Sequence, residues 1–321
     1  MARWITLATV TTLDPDDRSI SREKHLAHAR TLLSLAGDQG ADLVVLPECF
    51  LQFGDPNASW FENPPTLPTK EFETLASLAA KHRFNLVIGT LRNVEGVRRN
   101  SAILVGRDGR VIGGYDKMFP TLGEIESGIC PGADATVLAT DIGRIGFAIC
   151  FDANFIEVFE GARENGAELL VFSSMYRGGT HLVAWAFEFE YPIVACCPYY
   201  SAVIDMTGRL LAETGLDLQP VAGGWVPGLA TARINLDRRM VHFDGHVRFN
   251  DGSGDNRLWE AKKKYGGGLS IDITAWHAAL CALGSELPDK SVEEIAREFR
   301  IELCRDYLAR ARKGRKEAIG G

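Results

Sequence analysis

Three stretches of the chain end in side chains that can do chemistry. LPECF (46–50) carries Glu48 just past an apolar run. YDKMFPTLGE (115–124) carries Lys117 and, seven residues on, Glu124. RIGFAICFDANF (144–155) breaks off its apolar run at Cys150, with Asp152 and Asn154 just beyond. A thiol, a carboxylate and an ammonium form a working set. The thiolate is the nucleophile, so the thiol needs a base to take its proton or a cation to lower its pKa. A carboxylate at a strand end serves as that base when partial burial lifts its pKa toward neutrality. A lysine beside both favours the thiolate and donates to the oxyanion that forms when a carbonyl is attacked. Backbone N–H groups just after Cys150, at the start of a following helix, are the expected second donor. Taken singly, each residue has a plainer explanation: a strand-end cysteine packs as a small hydrophobe, Glu48 starts a helix, and Lys117 is its ion-pair partner. The combination is what points to chemistry.

Bringing these groups together requires strands alternating with helices. Residues 4–11 read as a strand, and Asp16 and Asp17 offer N-caps to a helix over 19–37, with Leu26, Ala29, Leu32, Leu33 and Ala36 on one face. ADLVVLPE (41–48) is a buried strand running into proline. A Pro/Asn loop over 55–68, a helix near 69–83 and a strand over 85–91 follow. Turn residues then mark three hairpins: 101–117 around Asp108-Gly109, a type I′ signal; 136–150 around Asp141 to Gly143; and 201–214 around Thr207-Gly208. Between the last two lie a helix near 153–165, a strand over 167–174 and a helix near 181–190. Hairpins among βα units predict an α/β fold of mixed sheets with helices on their outer faces. From about 237 the texture changes: DGHVRFNDGSGDNRLWEAKKKYGGG (244–268) is loop-rich, and 291–313 reads as helix. Residues 1–236 are therefore read as the main domain, and 237–321 as a C-terminal extension packed on the body or on a partner subunit.

Composition narrows the functional classes. With 321 residues, 46% hydrophobic and 24% charged, the chain can bury a large core and gives no case for global disorder. A net charge of −7 argues against a nucleic-acid partner, and the basic RARKGRKEAIGG at 310–321 reads as a solvated helix end. Seven cysteines without scaffold density read as reduced thiols of a cytoplasmic protein. MARWITLATVTTL alternates like a strand and lacks a signal-peptide cleavage site, and no stretch approaches membrane-spanning length, so no membrane partner is expected. His242 and His246 are four apart, but the Asp-Gly between them argues against a helical metal pair.

In chain order and context, the three stretches resemble the nitrilase superfamily, the carbon–nitrogen hydrolases. LPECF matches its proline–glutamate motif, and YDKMFP with Gly123-Glu124 matches its lysine motif. ICFDANFIE (149–157) resembles its nucleophile motif, and the likeness runs over about residues 4–236. The resemblance implies a four-layer αββα sandwich with two mixed β-sheets. It implies Cys150 as nucleophile, Glu48 as general base, Lys117 as oxyanion stabiliser and Glu124 as a second acid that positions substrate or lysine. The implied reaction passes through an acyl-thioester on Cys150, which water then hydrolyses, with no metal or organic cofactor. The implied partners are a small-molecule amide or carbamoyl substrate and further copies of the chain, as a homodimer or higher homo-oligomer.

Departures from the family pattern bear on substrate. Ile156 replaces the proline of the proline–glutamate pair after the nucleophile, and Asn154 stands where many relatives have arginine. WAFEF (185–189) and CCPYYS (196–201) replace segments that line or buttress the pocket in the family, so a substrate unlike those of the best-known members is expected. Cys-Phe-Asp resembles the amidase branches rather than the nitrilases. The candidate substrate contacts are Phe151, Asn154, Tyr176 and Arg177, the last able to clamp a carboxylate. Phe50, Phe53, Trp60, Tyr176 and Tyr199 are candidate apolar walls. Three alternatives stay open: nitrile hydrolysis, acyl transfer to an amine by the same groups, and a catalytically silent assembly protein.

Overall fold

The computed structural model describes residues 1–17, 19–55, 60–215, 228–242, 257–275 and 280–320. His246 and most of the loop-rich stretch after 242 lie outside the described residues, as does part of the Pro/Asn loop. The described chain falls into two compact units, Ile5–Ile234 and Met1–Trp4 with Asn235–Gly321.

The larger unit is built on two six-stranded sheets. The first takes β1 (Trp4–Val10), β2 (Leu43–Val45), β3 (Asn85–Val94), β4 (Val97–Val105) and β5 (Val111–Asp116). The second takes β6 (Val137–Thr140), β7 (Gly143–Ile149), β8 (Leu169–Ser173), β9 (Ile193–Cys196), β10 (Tyr200–Ile204) and β11 (Leu210–Gly215). A further strand, β12 (Leu229–Asn235), returns to the edge of the first sheet beside β1. Both sheets are mixed: β1, β2 and β3 run parallel before β4 and β5 turn back, and β7, β8 and β9 run parallel between antiparallel edges. Helices α1 (Arg22–Asp38) and α2 (Lys70–His82) belong to the first sheet, with the short α3 (Leu122–Glu126) after β5. Helices α4 (Ile156–Glu164) and α5 (Gly179–Glu188) belong to the second. The result is the αββα layering that the family resemblance implied.

The layering explains the sequence pattern. Every residue of β2, β8 and β9 is buried, because each strand has a layer on both faces, so these segments read as unbroken apolar runs. Edge strands β5 and β11 are exposed or half-buried at every position but Tyr115. Buried hydroxyls are satisfied across the sandwich: Thr9 Oγ1 donates to Ala195 O (2.8 Å), Ser173 Oγ to Leu46 O (3.0 Å) and Ser201 Oγ to Val10 O (2.7 Å).

Local readings need three corrections. Helix α1 is capped by Ser21, whose side chain accepts from Lys24 N, and not by Asp16 or Asp17, and it buries His25 while Leu26 is only half-buried. A tight two-residue hairpin joins β3 to β4 at Glu95-Gly96, both with positive φ (52 and 88), a pairing the sequence reading missed. Asn93 Oδ1 accepts the Gly96 N–H at 2.7 Å and stabilises that bend. At Asp108-Gly109 only the glycine has positive φ, so this turn is a wider one closed by Gly109 N–H to Gly106 O at 2.9 Å, not type I′.

The smaller unit has its own core. Strands β13 (Arg238–His242), β14 (Leu269–Ala275) and β15 (Leu280–Ser285) form an antiparallel sheet in the order β13-β15-β14, which the sequence reading did not name. Val241, Leu258, Leu283, Val292 and Ile295 pack together as β13 and β15 meet α6 (Arg257–Tyr265) and α7 (Val292–Phe299). The helix expected over 291–313 breaks at Arg300, which adopts φ 55, and resumes as α8 (Cys304–Gly320). Among the described residues, no helix is long and apolar enough to cross a membrane.

Candidate active site

Glu48 is delivered by the end of β2. Pro47 has no N–H to continue the ladder, so the chain leaves the sheet after Leu46 N–H bonds Val87 O at 2.9 Å. Cys49 then takes a left-handed conformation (φ 56) and turns the chain into a short 3-10 turn at Phe50–Gln52. Gly89 on β3 permits this: a Cβ there would stand 2.2 Å from Pro47 O and 2.7 Å from Glu48 Cα. The Glu48 side chain ends up 3% exposed.

Lys117 reaches the same sheet edge by alternation. β4 runs antiparallel to β3 and β5 antiparallel to β4, so β5 ends where β2 and β3 end. Lys117, 1% exposed, donates from Nζ to Glu48 Oε1 (2.9 Å) and to Glu124 Oε2 (2.8 Å). Glu124 is also the capping-box residue of α3, accepting Thr121 N–H at 2.7 Å, so the start of that helix fixes the carboxyl that holds the lysine. Asn100, buried on β4, donates from Nδ2 to Glu48 Oε1 and Glu124 Oε1, both at 2.7 Å. Sequence reasoning passed over Asn100. Its available signal was an Asn-Ser pair at the head of an apolar strand, opposite Lys117 in the hairpin.

Cys150 comes from the second sheet. β7 ends at Ile149, and Cys150 enters a 3-10 turn (Cys150–Asn154) at φ 48, a left-handed conformation that a side chain adopts only under strain. This turn, rather than an α-helix beginning near 153, follows the sulfur; α4 starts only at Ile156. Asp152 holds the turn in place. It is fully buried and accepts Ile149 N–H (2.8 Å), Tyr115 OH (2.7 Å) and Phe119 N–H (2.8 Å). The Cys150 turn is thereby tied to β5 and to the segment after Lys117, and Phe119 stacks on Phe155 at 3.9 Å. Burial outweighs those three donors and pushes the Asp152 carboxyl up to about 6. Met175, just past β8, donates its N–H to Glu48 Oε2 at 2.9 Å, closing the group from the second sheet.

The electrostatics overturn the expectation of a cation-lowered thiol. Burial and the neighbouring Glu48 carboxyl push the Cys150 thiol up to about 12, and Lys117 offsets them only in part. Burial is the largest contribution, and a thiolate would also stand beside the Glu48 carboxyl, which already shares Lys117 with Glu124. Burial works against the Lys117 charge, yet Glu48, Cys150 and Glu124 raise its pKa overall. Burial likewise works against Glu124, but Lys117, Thr121 and Asn100 hold its carboxyl below the usual range.

Cys150 is half-buried and opens on a cleft of about 510 Å³ lined also by Phe151, Asn154, Tyr176, Gly178, Thr180 and His181. Three of the four expected substrate contacts, Phe151, Asn154 and Tyr176, are in that lining. Arg177 is not: its guanidinium lies 4.1 Å over the Tyr200 ring. Of the expected apolar walls, Tyr176 reaches the cleft, whereas Phe50 and Phe53 are buried edge-to-face against each other at 5.5 Å.

Residues 7–238 match the family model described as carbon-nitrogen hydrolase. The chain belongs to that family. Among curated carbon–nitrogen hydrolases it is similar to the deaminated glutathione amidase of Synechocystis sp., with 27% identity over 67% of this chain and 87% of the relative. It is also 27% identical to the omega-amidase NIT3 of Saccharomyces cerevisiae, over 60% of this chain and 77% of the relative. In fold it is similar to crystal structures of the same superfamily. One is Saccharomyces cerevisiae Nit3 (TM-score 0.59, 23% identity, 73% of this chain and 90% of that one). Another is a cysteine-to-alanine mutant of the amidase from Nesterenkonia sp. AN1 in complex with butyramide (TM-score 0.60, 20% identity, 72% and 90%).

Two departures of this carbon–nitrogen hydrolase gain a structural account. Trp185, the first residue of the WAFEF stretch, donates its indole N–H to Ala153 O at 2.9 Å and so braces the Cys150 turn from α5. Asn154 donates to Phe151 O at 3.0 Å, tying the turn to itself.

Proposed function

We propose that the chain is a cysteine-dependent amidohydrolase acting on a small amide or N-carbamoyl compound, with Cys150 as nucleophile, Glu48 as base, Lys117 as oxyanion donor and Glu124 as the holder of the lysine. The observation that carries this reading is the meeting of the three stretches: Glu48 bonds Lys117 on one side and faces the thiol of Cys150, itself at the wall of a cleft, on the other. The raised thiol pKa sets the sequence of events. Cys150 waits as the neutral thiol, and its proton moves to Glu48 only as sulfur attacks the carbonyl carbon. Two of the three Lys117 protons are held by carboxylates, and the third is the donor to the developing oxyanion. When the tetrahedral intermediate collapses, the C–N bond breaks, Glu48 returns the proton to the departing ammonia or amine, and a thioester remains. Water then enters, gives its proton to Glu48 and releases the acid and the thiol.

The named relatives are amidases, which favours an amide over a nitrile, and Phe151 and Tyr176 offer faces for a short acyl group. A cytoplasmic setting agrees with the reduced cysteines. Ammonia release is to be screened over butyramide, N-carbamoylglycine, a dicarboxylate monoamide and butyronitrile. Cys150→Ala should remove at least about 10³-fold of the activity while leaving the melting temperature unchanged. Turnover persisting in that variant would sink the assignment.

A further inference from the structure

Asn100 is poorly suited to its place by packing alone. Asparagine is a weak strand former, and Oδ1 of this fully buried residue has no hydrogen-bond partner, which destabilises the fold. A leucine, alike in branching though larger, would remove both penalties. What the amide supplies is Nδ2, a neutral atom carrying two protons, placed 2.7 Å from Glu48 Oε1 and 2.7 Å from Glu124 Oε1. A serine would reach one carboxylate only, and a lysine would bring a competing charge. The same residue accepts the backbone N–H of Lys117 at 2.8 Å. One side chain and its carbonyl therefore touch three charged residues.

The arrangement also sorts the two oxygens of Glu48. Oε1 receives both Lys117 (2.9 Å) and Asn100 (2.7 Å), which fills its lone pairs. Oε2 receives the Met175 N–H (2.9 Å) and keeps a lone pair. We propose that Asn100 is a positioning residue of the reaction: its paired N–H bonds hold two facing carboxylates in fixed orientation beside one ammonium and reserve Oε2 of Glu48 for the thiol proton. The inference rests on the reading of Glu48 as the base. The other titratable groups around the pair are Lys117, Cys49, Cys150, Tyr176 and Asp152, so any pH effect is to be judged against them.

Asn100→Leu and Asn100→Ser are to be compared with the unsubstituted enzyme on the fastest amide of the ammonia screen, butyramide being the first probe, by kcat and KM across pH together with melting temperature. In the leucine variant kcat should fall about 10- to 100-fold with KM within about threefold, and the acid limb of kcat should move up by about one pH unit. Its melting temperature should fall by no more than a few degrees, since losing the unpartnered Oδ1 offsets part of the cost of leaving Glu124 Oε1 without its donor. Serine, keeping one donor, should fall between. An acid limb that stays put in both variants, with activity either unchanged or lost in step with melting temperature, overturns the proposal. If the leucine variant does not fold, an unmoved limb in the serine variant overturns it alone. Cys150→Ala separates this from the underlying reading. An active alanine variant brings down the base assignment, whereas an inactive one with unmoved Asn100 variants brings down only the role of Asn100.

Discussion

On the first sheet, Glu48, Lys117, Glu124 and Asn100 lie between 1% and 6% exposed and bond one another at 2.7 to 2.9 Å. On the second, Cys150 is half-buried and stands among Asn154, Tyr176, Thr180 and His181, all exposed, on the wall of an open cleft. The first half is a closed electrostatic assembly in which a charge added or moved must displace another. The second is a fixed sulfur beside replaceable walls. Proton chemistry demands the first kind of order, since a base displaced by an ångström loses its alignment. Accepting different acyl groups demands the second. Under the proposed mechanism the proton-handling groups belong to the first half, and the sulfur stands in the second beside the side chains that would meet the acyl group.

The comparison breaks most readily at Gly89. Gly89→Ala puts a Cβ 2.2 Å from Pro47 O, against backbone that cannot swing away. The Glu48 turn must lift, and kcat should fall about 100-fold at a stability cost of about 1–3 kcal/mol. A steady-state assay with a melting curve tests this, and an alanine variant with natural kcat would mean the closed half tolerates movement.

A smaller effect sharpens the charge argument. Because burial and Glu48 push the Cys150 thiol up to about 12, its thiolate fraction stays low at neutral pH and grows about tenfold per pH unit toward that value. Iodoacetamide labelling followed by peptide mass spectrometry should find the exposed Cys130 modified ahead of Cys150 at pH 7.5, with the Cys150 rate climbing beyond pH 9. Cys150 labelled first at pH 7 would show that burial and Glu48 do not govern it.

The smallest expected effect lies in the open half. Arg177 is engaged with Tyr200 and does not line the cleft, so Arg177→Ala should change KM by no more than about twofold for any amide tested. A large KM increase confined to acidic substrates would return Arg177 to the role of carboxylate clamp.

Much of the architecture was legible because burial leaves a mark on sequence. The unbroken apolar runs of β2, β8 and β9 record layers on both faces, and the Gly-centred bends record the hairpins. The type I′ turn was misplaced because Asp108-Gly109 looks the better candidate, while Glu95 takes positive φ with the help of Asn93, a neighbour whose contribution composition does not reveal. The sheet of the smaller unit was missed because its strands are short and flanked by glycine and charge. In the site, the reactive types announced themselves by standing at strand ends. Asn100 did not, since an asparagine inside a strand pattern looks like a blemish until its two acceptors are in view.

Residue order alone determined the reactive types, their places at the ends of apolar runs, and the βα alternation that had to carry them, because side-chain chemistry and hydrophobic period are local properties. Tertiary structure alone decided which groups face one another. Parallel neighbours β2 and β3 and twice-reversed β5 share one edge, and β7 meets that edge from the opposite sheet. The proton affinity of the thiol was decided at the same level, since a pKa depends on the sum of burial and every nearby charge, and that sum exists only once the chain has closed on itself.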